Sequence, residues 1–179
     1  MPNNLYVYDL DDKSLVKLTN SLNPKIDSKN LVNAKVIRYK SFDGLEIPAI
    51  FYEPLQASKN NKVPALVWVH GGPGGQSRMS FNPLIQYLNN QGYAILAVNN
   101  RGSSGYGKTF YKLDDKNHGE NDLKDCLWGK KWLQELEYID AEKIGIIGGS
   151  YGGYMTMAAM TFTPDEFKVG VNIFGVTNW

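Results

Sequence analysis

Two textures of hydrophobic and polar positions divide the chain. Leu5 to Leu10 alternates and is rich in β-formers, Asp11-Asp12-Lys13-Ser14 interrupts it, and Leu15 to Leu18 follows as a second short apolar run. This pattern predicts a β-hairpin. Two strands are only marginally stable by themselves, so the hairpin is expected to belong to a larger β-structure or to pack on the remainder. Asn20 to Asn33 is polar, contains Pro24 and shows no period, which predicts a linker and a domain boundary near residue 30. Ala34 to Tyr39 and Leu45 to Tyr52 read as strands around Ser41-Phe42-Asp43-Gly44, whose Asp-Gly supplies the positive φ of a tight turn.

From Val63 onward short, continuously apolar strands alternate with helical stretches. Strands are expected at Val63 to Val69, Tyr93 to Val98, Lys143 to Ile147 and Val169 to Phe174, and helices near Pro83 to Gln91, Asp122 to Glu137 and Tyr151 to Thr161. Strands apolar on both faces and separated by helices imply a mainly parallel sheet covered on each side, an α/β fold. No internal repeat or low-complexity segment interrupts this order.

Composition narrows the function classes. With 179 residues and a net charge of +1, the chain can bury a real core but sets up no field to attract nucleic acid or an anionic membrane. One cysteine, Cys126, excludes an internal disulfide and fits a reducing, cytoplasmic compartment. Two histidines and one cysteine are too few soft ligands for a zinc site of the usual kind, and no metal or organic cofactor is implied. Met1-Pro-Asn-Asn opens without the basic and apolar regions of a signal peptide, and no run approaches a membrane span, so the chain reads as soluble.

Chemistry enters with Gly148-Gly149-Ser150-Tyr151-Gly152, which fits G-x-S-x-G. The motif alone is weak. Its context is a strand running into it and a helix following it, the strand–turn–helix in which an α/β-hydrolase holds a serine nucleophile. Such a turn strains the serine backbone, lifts the Ser150 hydroxyl clear of the sheet, and aims the first helical amides, beginning with Tyr151, at a developing oxyanion. The bland alternative is a glycine-rich turn with a capping serine. Upstream, the strand Ala-Leu-Val-Trp-Val ends in His70-Gly71-Gly72-Pro73-Gly74-Gly75, the place where the fold supplies its other oxyanion amide, and Gly72 is the candidate donor. His70 closes a strand and is expected to hold a loop by hydrogen bonds; the alternative is that it is the general base. His118 lies in a polar stretch and is expected to be solvated.

Together these residues, with Asn99-Asn100-Arg101-Gly102-Ser103-Ser104-Gly105-Tyr106-Gly107 between them, resemble the prolyl oligopeptidase family. The His-Gly-Gly-Pro form points to its acylaminoacyl-peptidase and dipeptidyl-aminopeptidase-like branch. The resemblance implies a serine peptidase acting on peptide substrates, with Ser150 as nucleophile and Gly72 and Tyr151 as oxyanion donors. It makes Arg101 an ordering residue at the rim of the substrate site, and Tyr151, Val176 and Trp179 the lining of the pocket for the residue before the cleaved bond. It implies that residues 1–30 are closing strands of a β-propeller with a linker, and that residues 31–179 are the N-terminal part of an incomplete α/β-hydrolase domain. The catalytic Asp and His then lie beyond position 179, the chain alone is nearly inactive, and a homo-oligomer of the full-length protein remains compatible. A carboxylesterase and an inert binding scaffold are the competing functions of the same fold.

One rival motif points elsewhere. Gly102-Ser-Ser-Gly-Tyr-Gly107-Lys108-Thr109 satisfies the phosphate-binding G-x-x-x-x-G-K-[ST] pattern. The following residues, Phe110 to Gly119, lack helical apolar spacing, and no later strand ends in a metal-holding Asp, so nucleotide binding is not expected. Lys130-Lys131 is read as the wet face of the Asp122 to Glu137 helix, and Cys126 as a small buried hydrophobe on it.

Overall fold

The structure, a computed structural model, describes residues 1–178. Strands β1 (Tyr6–Tyr8) and β2 (Leu15–Lys17) form the predicted hairpin, a separate two-stranded antiparallel sheet with every strand residue exposed. The chain docks on the main body at Val32, whose backbone N–H and carbonyl are both held by the Gln86 side-chain amide.

The main body is a six-stranded sheet built from β3 (Lys35–Lys40), β4 (Glu46–Tyr52), β5 (Val63–Val69), β6 (Ala94–Val98), β7 (Ile139–Gly149) and β8 (Gly170–Ile173) in the order β3-β4-β6-β5-β7-β8. β3 and β4, and β4 and β6, pair antiparallel, whereas β6, β5, β7 and β8 run parallel. Helix α1 (Pro83–Asn90) starts at a textural switch the sequence marks well: Pro83 sits in the first turn and the Asn82 side chain accepts hydrogen bonds from the Leu84 and Ile85 amides. It covers one face, where Ile85 packs with Ile50, Leu66, Ile95 and Ala97. Helices α3 (Asn121–Gln134) and α4 (Tyr151–Phe162), preceded by the single turn α2 (Lys108–Tyr111), lie on the other, where Cys126, Leu127, Met155 and Ala159 meet Val67, Leu96 and Ile146. The two-sided burial explains the unbroken apolar runs, because neighbouring residues of one strand enter different cores.

The elements depart from the sequence expectation most at these points, besides α3 ending at Gln134 and not at Glu137. β7 begins at Ile139, before the expected Lys143, because Ile139 pairs with Val63 across a register shift that carries the strand through the polar Asp140–Glu142 stretch. A one-turn helix does start at Lys108. Lys130 is not on the wet face: its ammonium is paired with Glu166 at 2.8 Å and lies over the Phe167 ring, leaving Lys131, over the Trp128 ring, as the exposed member.

Candidate active site

In an open α/β sheet the carboxyl ends of strands flanking a reversal of strand order form the natural crevice. Here β5 feeds β6 on one side while β7 returns to its other side, so His70, Asn99 and Ser150 emerge side by side from the ends of β5, β6 and β7.

Ser150 stands between β7 and α4 with φ 56° and ψ −119°, a region costly for any residue with a Cβ. The surroundings enforce it. A Cβ on Gly148 would lie 2.3 Å from the Gly152 carbonyl oxygen, and one on Gly152 would lie 2.1 Å from that of Val69, so strand, turn and helix are packed backbone to backbone. A Cβ on Gly149, the variable position of the motif, would meet nothing closer than 3.6 Å. The backbone of the turn is tied to the neighbouring strand by the Ser150 amide, which donates to the Ile173 carbonyl at 3.1 Å. Although Ser150 occupies the N-cap of α4, its side chain makes no capping hydrogen bond. A capping serine would contribute about 1 kcal/mol to the helix; this one makes no such bond, which counts against the bland reading.

The loop after β5 lies against this turn. Gly71 approaches so closely that a Cβ there would sit 3.3 Å from the Ser150 Cβ. Gly72 follows with φ +141°, and its N–H meets no acceptor among the described residues. His70 holds the loop: Nδ1 donates to the Gly71 carbonyl at 2.8 Å and Nε2 faces Ser103 Oγ at 2.8 Å. A carbonyl can only accept, so Nδ1 carries a proton, while Nε2 lies against Ser103 Oγ, whose own proton goes to the Asn100 carbonyl at 2.6 Å. Burial pushes the His70 pKa down, partly opposed by the Gly71 hydrogen bond, consistent with a neutral ring. His70 thus joins the β5 and β6 loops, as a structural histidine and not as a base for Ser150. Asn99 adds to this seam, accepting from the Ser77 amide at 2.7 Å and donating to Tyr106 Oη at 2.7 Å.

Arg101 is 4% exposed. Its Nε and Nη2 donate to the two carboxylate oxygens of Asp125 on α3, each at 2.9 Å, its backbone N–H donates to Asp125 Oδ2, and Nη1 and Nη2 reach Asp43 in the β3–β4 turn at 2.9 and 3.1 Å. Ser41 Oγ also donates to Asp125, and the guanidinium lies over the Phe42 ring. Burial works against the charge, but these two carboxylates outweigh it and raise the Arg101 pKa. The expected rim residue therefore orders three elements from beneath, with its donors turned inward and not toward a substrate. Sequence reasoning missed Asp125; the signal available was a carboxylate between Leu123, Cys126 and Leu127, on the apolar face of a helix.

The remaining expected site residues are placed as follows. Tyr151 opens α4, but its ring is 1% exposed and its hydroxyl donates to Asp122 Oδ2 at 2.5 Å, so the phenol belongs to the interior and not to an open pocket wall. Val176 is 38% exposed beyond β8. Trp179 lies outside the described residues. His118 is not a solvated loop residue: its ring packs edge-on to Tyr151 and its Nδ1 faces Asp114 Oδ2 at 3.3 Å. The phosphate-loop pattern does not form a cradle. The Gly102, Ser103 and Ser104 amides are spent on the carbonyls of Phe110, Asn100 and Gly75, and the helix at Lys108 stops after a single turn.

Residues 79–179 match the model of the Prolyl oligopeptidase family. The chain is 35% identical to Dipeptidyl aminopeptidase BIII of Pseudoxanthomonas mexicana over 97% of its own length and 26% of that protein's. Among solved structures, the Pyrococcus horikoshii acylaminoacyl peptidase superposes with a TM-score of 0.85 at 34% identity, over 100% of this chain and 28% of that one. An acylaminoacyl peptidase in complex with Z-Gly-Gly-Phe-chloromethyl ketone gives 0.84 at 34% identity, over 98% of this chain and 28% of that one. The chain thus spans little more than a quarter of the length of the relatives it matches. Its sheet and elbow are those of the α/β-hydrolase fold.

Proposed function

The chain belongs to the prolyl oligopeptidase family, and on that footing we propose that the protein it comes from is a serine peptidase that cleaves peptide or acyl-peptide bonds through an acyl-Ser150 intermediate. The observation that carries this reading is the backbone of Ser150, held at positive φ at the head of α4 with its hydroxyl making no hydrogen bond among the described residues and the glycine loop pressed against it. Ser150 Oγ attacks the scissile carbonyl. The negative charge that develops on the carbonyl oxygen is met by the Tyr151 amide, at the positive end of α4, and by the Gly72 amide. Collapse expels the amine and leaves the acyl-enzyme, which water then hydrolyses.

The base that accepts the Ser150 proton is neither histidine of these residues: His70 is committed to Gly71 and Ser103, and His118 faces Asp114. A histidine outside residues 1–179, oriented by its own carboxylate, fills that role. The β1–β2 hairpin, apolar and uncovered at Tyr6, Val7, Tyr8, Leu15 and Val16, is read as part of a neighbouring β-domain, a propeller, separated from the catalytic domain near residue 30. On the family resemblance alone, Val176 and Trp179 are the apolar side chains assigned to the acyl-side pocket, with no carboxylate between them to pair a cation.

The test is a panel of chromogenic aminoacyl, dipeptidyl and acyl-peptide substrates on the full gene product, beside Ser150→Ala. Peptide and acyl-peptide turnover with apolar residues before the cleaved bond preferred by about tenfold or more over Arg or Lys is expected, and it should vanish in Ser150→Ala. Highest kcat/KM on Arg or Lys would overturn the pocket assignment. Turnover of esters without amides would overturn the peptidase reading.

A further inference from the structure

Behind the nucleophile, on the far side of Tyr151, the loop after α2 and the first turn of α3 bring three side chains together. One ligating atom each from Asp114, His118 and Asp122 all lie within 4.8 Å of one another. Asp114 is 4% exposed and Asp122 is fully buried. The Asp122 carboxylate is held in place by the Leu123 amide at 2.9 Å and by the Tyr151 hydroxyl at 2.5 Å. The Gly102 backbone closes the side behind Asp114, where a Cβ would fall 2.0 Å from Oδ2.

The cluster is short of positive charge. Asp114 Oδ2 is buried, points into the cluster and meets no hydrogen-bond donor among the described residues. Among the described residues, the side chain facing it that can carry positive charge is the imidazole of His118, at 3.3 Å. Two carboxylates against one imidazole leave negative charge in excess even with the ring protonated, and buried uncompensated charge is strongly unfavourable. A divalent ion would balance the two carboxylates. Metal–ligand bonds of about 2.0–2.2 Å place neighbouring ligand atoms roughly 3–3.5 Å apart, the spacing seen between Asp114 and His118.

We propose that Asp114, His118 and Asp122 bind one divalent transition-metal ion, which ties the loop after α2 to α3 and, through Tyr151, to the helix behind Ser150. Two oxygens and one imidazole nitrogen suit ions of the zinc, cobalt or manganese kind better than calcium, which takes six to eight oxygens. Counting cysteines and histidines along the sequence argued against zinc, and a carboxylate-rich set escapes that count. Tyr151 serves as the outer partner that orients a ligating carboxylate, and His118, 17% exposed, marks the way in. The site is structural and does not depend on the peptidase reading.

The experiment uses the full gene product without an affinity tag, stripped by chelator, then titrated with Co²⁺ or Zn²⁺ and passed through gel filtration. Wild type is expected to retain about one equivalent of metal and, with Co²⁺, to develop visible d–d absorption distinct from that of the aquo ion. His118→Gln and Asp114→Asn should each weaken binding by at least about tenfold, whereas Ser150→Ala should bind as wild type does. Because a variant in the buried cluster can misfold, the wild-type result stands as its own test. Failure of folded wild type to retain metal, an aquo-like Co²⁺ spectrum, or uptake unchanged in both variants would overturn the proposal.

Discussion

At the residue scale the elbow makes a graded prediction. Gly148 and Gly152 face backbone at distances no Cβ occupies, whereas Gly149 does not. Gly148→Ala and Gly152→Ala should each lower stability by roughly 1–3 kcal/mol and suppress labelling of Ser150 by a fluorophosphonate, while Gly149→Ala should stay within about 1 kcal/mol of wild type. Urea unfolding together with probe labelling checks both halves. His70 gives a pH signature. Burial lowers its folded pKa, so below the unfolded value, about 6.5, the unfolded chain binds the proton first. The contribution of neutral His70 is complete above that pH and is lost as pH falls toward the folded value, by about 1.4 kcal/mol per unit of separation. His70→Gln has no such titration, so the stability difference between the two proteins should change over this window and level off above it. A flat difference from pH 5 to 8 would refute the neutral, buried role.

At the element scale, Arg101 acts as the pin among the β3–β4 turn, the loop after β6 and helix α3. Its two carboxylates are not equivalent, since Asp125 is fully buried and Asp43 is 39% exposed. Removing one member of a buried pair strands the other charge, so Arg101→Ala and Asp125→Asn should each cost about 3–5 kcal/mol. Asp43→Asn should cost no more than about 1 kcal/mol because solvent screens that pair. Arg101→Lys should not restore the wild-type value, since an ammonium cannot reproduce the paired contact to Asp125. Denaturant midpoints followed by tryptophan fluorescence order the four variants. Equal losses for Asp43→Asn and Asp125→Asn would show that burial is not what distinguishes them.

At the scale of the whole molecule, the 179 residues hold the proposed nucleophile, Ser150, and its proposed oxyanion amides, while both of their histidines are engaged elsewhere. The chain alone should therefore label with a fluorophosphonate far more slowly than the full gene product, without falling to zero, because oxyanion stabilisation and binding still give about 10³ to 10⁴-fold over water when triad members are absent. Rapid labelling of the short chain that disappears in Ser150→Ala would place a base within it. The parallel sheet, the helices on both faces and the serine elbow were legible in the sequence, because burial on two faces writes continuous apolar strands and a tight strand–helix turn admits only glycine two positions to either side of the serine. The same periodicities placed α1 and α4 within a residue or two. What the sequence left open was decided by pairing across the fold. Asp140 to Glu142 became strand because Val63 offered a partner, Arg101 became a buried pin because Asp43 and Asp125 come from elements 58 and 24 residues away, and His118 met Asp114 and Tyr151 because two loops cross there. Local pattern reports which face of an element is buried; which polar groups meet inside depends on long-range packing, and only the tertiary structure supplies it.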